Sequence, residues 1–435
     1  MESKMDNRSD PDEEYLRRLG MRIQSELNDI KRTPHACARE LKWNLSVVED
    51  VLAGRASREL ASELKEVLLA QYPISPRDLA VQRNQETNGI TISRMFESKA
   101  SARIFDREDP QLGKSPYYEY RDTAMTPLSP FRPEWIRPLR VVTDDDSANE
   151  RVVLNYGHFL HQITFFAGPV NFYHKQGPRT ICTPMNFGDT NYIPPFVPHS
   201  FASRKSDDDG LIVAVTFGGN AKAALDELSL LDEEQLRRAI QTFTPQQSSK
   251  NEHRLIDETF ILRDLASEKS EVPASAGSEL LGGSETTFVR HSGEHSFAAK
   301  GSGERGPHLE KGASSPPEIG ANSYIYFAPA AEDRLDGERL PGIETYKGVY
   351  LFNPSSRRAQ LTWQRRGRTF TEFLEPHDSA YVEPMTPFSL IGEDERLELF
   401  LVSVPTRLTS ATLLELSYFD RLDRVIAETT PWFKV

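Results

Sequence analysis

Gln162-Ile163-Thr164-Phe165-Phe166-Ala167-Gly168-Pro169-Val170-Asn171-Phe172-Tyr173-His174 reads as strand, tight turn, strand. β-Branched and aromatic residues fill both arms, and a Gly-Pro pair separates them, as in a hairpin. Working outward, further arms follow at short intervals: Arg140–Thr143 before it, and Arg179–Met185, Thr190–Tyr192 and Leu211–Phe217 after it. Pro, Gly, Asn and Asp bound each one. Many short strands with regular turn signals predict a sandwich or a small barrel. A second such run occupies Ser323–Phe327, Gly348–Phe352, Ala359–Gln364, Phe370–Leu374, Ser379–Val382 and Leu397–Val404.

Outside these runs the apolar period changes. Leu16, Leu19, Met21, Ile23, Leu27 and Ile30 recur at helical spacing. Thr33-Pro34 places an N-cap before a proline at the first helical position, predicting a helix over 34–41. Ser46 is the expected cap of the next helix, 47–53, with Gly54 as its stop. That pair has the form of a helix-turn-helix. Its second helix carries Val47, Val48, Glu49, Asp50 and Val51, with no Lys or Arg to meet a base or a phosphate. Residues 221–243 again read as helix, and 298–318 as a Gly/Ser/Pro-rich connector.

The two halves repeat weakly. Pro34 to Gly54 and Pro273 to Gly293 have the same spacing, with Glu40-Leu41 matching Glu279-Leu280. Asp189-x-x-Tyr192-x-x-Pro195-x-x-Pro198 matches Asp378-x-x-Tyr381-x-x-Pro384-x-x-Pro387. The expected fold class is therefore mainly β with helical modules: two barrels in tandem, each preceded by a helix-turn-helix-like segment. The expected domains are a helical one over 1–80, a first barrel over 81–220, a helical segment and connector over 221–318, and a second barrel over 319–435.

Composition narrows the function. The 435 residues carry 52 Lys and Arg against 65 Asp and Glu, a net charge of −13, which argues against general nucleic-acid binding. It also argues against a ligand-responsive DNA regulator, the reading that a helix-turn-helix joined to a binding barrel would otherwise suggest. No apolar run reaches 18 residues and the N-terminal segment has no signal-like apolar region, so neither membrane insertion nor secretion is expected. Cys37 and Cys182 cannot build a disulfide framework, and a reducing cytoplasm is the expected location.

The chemistry centres on Asn155-Tyr156-Gly157-His158-Phe159-Leu160-His161-Gln162 and on Pro198-His199. Were this segment a regular strand, His158 and Gln162 would share a face and His161 would oppose them. His199, arriving from a distant strand, would complete the set. Two His and one oxygen donor, with open positions opposite, suit a non-haem Fe(II) centre. Gln162 is an uncommon third donor, and Asp189 is the nearest carboxylate alternative. The repeat offset from Asp189 to Asp378 carries His158 to Lys347, Gln162 to Leu351 and His199 to Phe388. One working site and one structural copy are expected.

Ser115-Pro116-Tyr117-Tyr118-Glu119-Tyr120, Asn155-x-x-His158-x-x-x-Gln162 and Pro198-His199 resemble the cupin non-haem iron oxygenases of phosphonate metabolism. The resemblance covers nearly the whole chain. It implies tandem cupin (double-stranded β-helix) barrels, Fe(II) held by His158, Gln162 and His199, and 2-hydroxyethylphosphonate and O2 as substrates. It further implies phosphonate and hydroxyl contacts from Lys31, Tyr118, Tyr120 and Asn155, and a homo-oligomer, dimer or tetramer, in which Lys31 serves its own or a neighbouring site. Some members take a Glu from the later strand, six residues before the last His; here that position is Ile193. Gln on the first strand with no carboxylate on the second implies C–C cleavage to methylphosphonate and carbon dioxide or bicarbonate. The alternative outcome is hydroxymethylphosphonate and formate. The family's Arg upstream of the tyrosines has no in-register counterpart, which leaves Arg103, Arg107 and Lys114 as substitutes.

Overall fold

The computed structural model describes residues 11–81, 88–109, 113–126, 129, 131–205, 210–217, 231–237, 286–289, 308–315, 320–331, 347–365 and 367–404. The chain divides into two compact units, one centred on residues 1–87 and one spanning most of 88–410.

The first unit is helical: α1 (Pro11–Asp29), α2 (Pro34–Leu41), α3 (Leu45–Leu52) and α4 (Arg58–Gln71). Leu19, Ile23 and Leu27 of α1 meet Cys37, Val48, Val51, Leu64 and Leu68 in one core. Thr33 Oγ1 caps α2 by accepting from the Ala36 amide at 3.1 Å. The next helix starts earlier than expected, because Asn44 rather than Ser46 is its cap, its Oδ1 accepting from the Ser46 amide at 3.1 Å. Gly54 has φ +70°, and a Cβ there would stand 2.7 Å from Arg17 Cα, so the residue that ends α3 also permits close approach to α1. Among the described residues no helix is long and apolar enough to cross a membrane.

Among the described residues the second unit is mainly β sheet and includes a short helix, α5 (Met95–Ala100). Its strands are β1 (Ile90–Ser93), β2 (Arg103–Asp109), β3 (Gly113–Asp122), β4 (Arg132–Pro138), β5 (His161–Phe166), β6 (Val170–Gln176), β7 (Arg179–Met185), β8 (Thr190–Ile193), β9 (His199–Ser203), β10 (Ile212–Phe217) and β11 (Thr287–Val289). They continue as β12 (His308–Ser314), β13 (Asn322–Ala328), β14 (Gly348–Phe352), β15 (Ala359–Arg365), β16 (Arg368–Leu374), β17 (Ser379–Val382), β18 (Phe388–Gly392) and β19 (Leu397–Val404). A seven-stranded sheet, β11-β8-β5-β10-β4-β3-β2, goes with a three-stranded one, β7-β6-β9. A six-stranded sheet, β1-β17-β14-β19-β13-β12, goes with β16-β15-β18.

Alternation along the strands sorts side chains into separate cores. On β5, Ile163 and Phe165 point to a core shared with Tyr350, Phe352 and Phe400, where the Phe165 and Phe400 rings stack at 4.5 Å. Phe166 points the other way, to a core with Phe172, Ile193 and Phe201 of the first sheet pair. Val349, Leu351, Leu361, Trp363 and Phe388 fill the second pair.

The sheets correct two expectations. Residues 308–314 are strand, not connector, and residues 287–289 are strand within a segment expected to be helical. The repeated helical segment otherwise lies outside the described residues, and so does most of 221–243. The first strand, β1, pairs with β17 of the second sheet set, while β11 pairs with β8 of the first. Each sheet set thus takes an edge strand from sequence that precedes the other. Local periodicity carries no signal for pairing across such distances.

Candidate metal centre

The strand framework places the expected ligands, though not for the expected reason. β5 begins at His161, so His158 lies in the loop before it and the strand-face argument does not apply to it. Gly157 makes the loop conformation available. It has φ +77°, and a Cβ on it would stand 2.5 Å from the Phe196 carbonyl carbon. The Phe196 amide donates to the His158 carbonyl at 2.8 Å, tying this loop to the turn that leads to His199. Gln162 is on β5 with its side chain buried, and His199 opens β9, also buried. His161 faces away, as its strand position requires: Nδ1 meets the Tyr192 hydroxyl at 2.8 Å and the ring stacks on Phe217.

The donors converge. His158 Nε2 lies 3.2 Å from Gln162 Oε1, and the His158 and His199 rings are 5.2 Å apart at 87°. His158 Nδ1 is 2.7 Å from the Leu160 carbonyl, and His199 Nδ1 is 2.8 Å from the Val197 carbonyl. A carbonyl oxygen only accepts, so both Nδ1 atoms carry hydrogen and both Nε2 atoms face inward. Burial, with the neighbouring His158 and Arg107 charges, pushes His199 down to about 3, so its ring is neutral and its Nε2 is a lone pair. His158 Nε2 and Gln162 Oε1 face each other at 3.2 Å, close enough for both to reach one cation.

Asp189 is not part of this group. It is buried in the turn before β8, where its Oδ2 accepts from the Asn186 amide at 2.8 Å. Asp378 does the same in the second sheet set, accepting from the Glu375 amide at 3.0 Å. The repeated Asp motif is a turn lock. Among the described residues no cluster of three His, Cys, Asp or Glu side chains could hold a metal, so a two-His centre needs the neutral oxygen of Gln162.

Around the donors, Asn155 clamps His199: its Oδ1 accepts from the His199 amide at 2.8 Å, and its Nδ2 stands 3.3 Å from His199 Nε2. A bulge in β3 against β2 turns both Tyr117 and Tyr118 inward. Both hydroxyls meet Ser200 Oγ, at 2.9 and 3.1 Å, and the Tyr118 hydroxyl accepts from the Phe201 amide at 2.8 Å. These contacts hold the strand that carries His199. Tyr120 is different: among the described residues its hydroxyl has no hydrogen-bond partner, and burial, then Tyr118, pushes its ionisation up.

Of the three candidate cations, Arg103 is paired with Asp122 and Glu134, and Lys114 is largely exposed beside Asp106. Arg107 donates to the Val153 carbonyl and to Ser200 Oγ, and lies 4.7 and 4.8 Å over the Tyr117 and Tyr118 rings. It has no carboxylate partner among the described residues. Lys31 belongs to the helical unit, exposed, at φ +59° in the turn between α1 and α2.

Two residues of this region carry no sequence motif. Thr164, fully buried on β5, accepts from Gln162 Nε2 at 2.9 Å. His174 of β6 pairs directly with His199 of β9, is 5% exposed, and among the described residues has no partner for its Nδ1. Ordinary strand alternation puts both on the inner face, and only the register reveals what they stand beside.

No family model matches the chain. A methylphosphonate synthase of Nitrosopumilus maritimus (strain SCM1) is 30% identical over 470 residues, covering 100% of this chain and 98% of that protein. Among solved structures, the Streptomyces albus HEPD with 2-hydroxyethylphosphonate and Fe(II) bound superposes with a TM-score of 0.71 at 30% identity, over 95% of this chain and 98% of that one. PhpD with cadmium gives a TM-score of 0.63 at 17% identity over 96% and 99%, a likeness of fold. End-to-end identity at this level decides the family, and the chain belongs to the methylphosphonate synthases and related iron-dependent phosphonate oxygenases.

Proposed function

We propose that this enzyme cleaves the C–C bond of 2-hydroxyethylphosphonate with O2, giving methylphosphonate and carbon dioxide or bicarbonate. The observation that carries the reading is the neutral donor set. Among the described residues Gln162 supplies the oxygen donor beside the two histidines, and its cross-strand neighbour, where a related enzyme would place Glu, is the buried Ile193. The end-to-end match to a methylphosphonate synthase supports the same product.

His158, Gln162 and His199 would hold Fe(II), which when bound supplies O2 activation. The remaining work belongs to the chain. Asn155 fixes His199, accepting from its backbone amide and placing Nδ2 3.3 Å from Nε2 on the metal side of the ring. Arg107 and the unpaired Tyr120 hydroxyl offer the cationic and neutral donors that a phosphonate dianion calls for. Tyr118 serves chiefly to hold β9, and Lys31 adds a second cation, from its own or a neighbouring subunit in a homo-oligomer. Each sheet pair is a cupin barrel, the first active and the second structural.

Anaerobic loading with Fe(II), then addition of 2-hydroxyethylphosphonate and O2 with products followed by phosphorus NMR, tests the reading. A methylphosphonate signal is expected; hydroxymethylphosphonate with formate, or no turnover, would overturn it.

A further inference from the structure

Gln162 is an ambiguous ligand. Its amide has an oxygen that can bind a metal and an N–H2 group that cannot, and turning the group over exchanges them. In this structure Oε1 faces His158 Nε2 at 3.2 Å, and Nε2 faces Thr164 Oγ1 at 2.9 Å. Gln162 is 4% exposed and Thr164 is 0% exposed, so water has little access to either. The strand explains the pairing. Residues 162 and 164 lie on the same face of β5, and the threonine methyl can rest against the apolar interior while its hydroxyl meets the amide.

Without an oxygen at 164, the metal-binding orientation would bury an N–H with no acceptor, a costly arrangement. An amide turned over would instead present N–H where the metal must bind. The second sheet pair provides an internal contrast. The rungs matching Gln162 and Thr164 are Val349 and Leu351, so amide and hydroxyl are absent together.

We infer that Thr164 is the positioning residue of the metal centre, holding the Gln162 amide with its oxygen toward the ion. The inference rests on the ligand set proposed above but not on the identity of the product.

The test uses the full-length apoprotein and Fe(II) alone. Thr164→Val keeps the branched shape and removes the acceptor, whereas Thr164→Ser keeps the acceptor. Expected for the valine variant is a 10- to 100-fold weaker Fe(II) affinity, on the order seen when an outer-shell partner is lost, with a changed EPR signal of the Fe(II)–nitric oxide adduct. Serine should restore both. Should the valine variant not fold, Thr164→Ala carries the same comparison. Wild-type affinity and an unchanged adduct signal in the valine or alanine variant would overturn the inference. Weak binding in the variant beside a wild type that binds iron but yields no methylphosphonate would leave the inference standing and remove the proposed reaction.

Discussion

In the first sheet pair β6 and β9 set His174 opposite His199; in the second, β15 and β18 set Trp363 opposite Phe388. Next to them, Gln162 and Thr164 on β5 correspond to Val349 and Leu351 on β14. Four polar residues in one interior become four apolar ones in the other, on matching strands with the same buried aspartate turn before β8 and β17. The polar interior keeps donors in place at the cost of burying groups that need partners. The apolar interior is filled side chain against side chain, and its Trp363 indole, the one polar atom among the four, donates to the Asn88 carbonyl at 2.9 Å. On the proposed ligand set, one copy of the framework serves a metal and the other serves packing.

Copying the second interior into the first should give the largest effect. His199→Phe installs the residue found at the matching rung, Phe388, so the framework tolerates the ring. Iron content should fall to background, with affinity down by more than about 100-fold, beyond what loss of an outer-shell partner costs, and turnover should vanish. A colorimetric iron assay beside a circular-dichroism spectrum separates this from misfolding, and stoichiometric iron in the folded variant would remove His199 from the ligand set.

The reverse cut probes packing alone. Phe388→Ala empties a fully buried ring site and should cost about 3–5 kcal/mol of stability, read from urea denaturation, while the iron bound per folded chain stays the same. Lost iron with little lost stability would mean that the second interior takes part in the chemistry after all.

The same comparison shows what the sequence conveyed. Helix 34–41 and the strands 179–185, 348–352, 379–382 and 397–404 end where composition and turn residues end them. The convergence of His158, Gln162 and His199 was legible in part, but His158 reaches the others from a loop, through the freedom of Gly157 and the tie to Phe196, which strand periodicity does not encode. The repeat offset was right for His199 and Phe388. For Gln162 it pointed two residues too far, because the turn from Phe166 to Val170 is two residues shorter than the one from Asn353 to Ala359. Register therefore matches Gln162 to Val349, and the counterpart of His158 lies outside the described residues. Thr164, His174, the bulge at Tyr117 and the exchange of β1 and β11 depend on contacts distant in sequence, so no local pattern marks them.

Gln162→Glu sharpens the contrast within the active interior. It keeps length and an oxygen donor but makes the site one charge more negative. Iron should bind at least as tightly, since a carboxylate faces a dication. The ratio of methylphosphonate to hydroxymethylphosphonate should move toward the latter, measured by phosphorus NMR. An unchanged ratio would count against a role for ligand charge in the choice of product.

The aspartate turns should respond least, and unequally. Asp189→Asn weakens a charge-assisted bond to the Asn186 amide and should cost about 1 kcal/mol. Asp378→Asn disturbs more than the turn, because Asp378 also accepts from the Met95 amide at 2.7 Å and pairs with Arg94 at 2.9 Å. Neither substitution should change iron stoichiometry, since Asp189 accepts from a turn amide and Asp378 from two amides and Arg94, away from the proposed ligands. Thermal melts of the two variants, each with its iron content, give the comparison. Loss of iron in Asp189→Asn alone would return that carboxylate to the metal centre and undo the neutral donor set on which the proposed product rests.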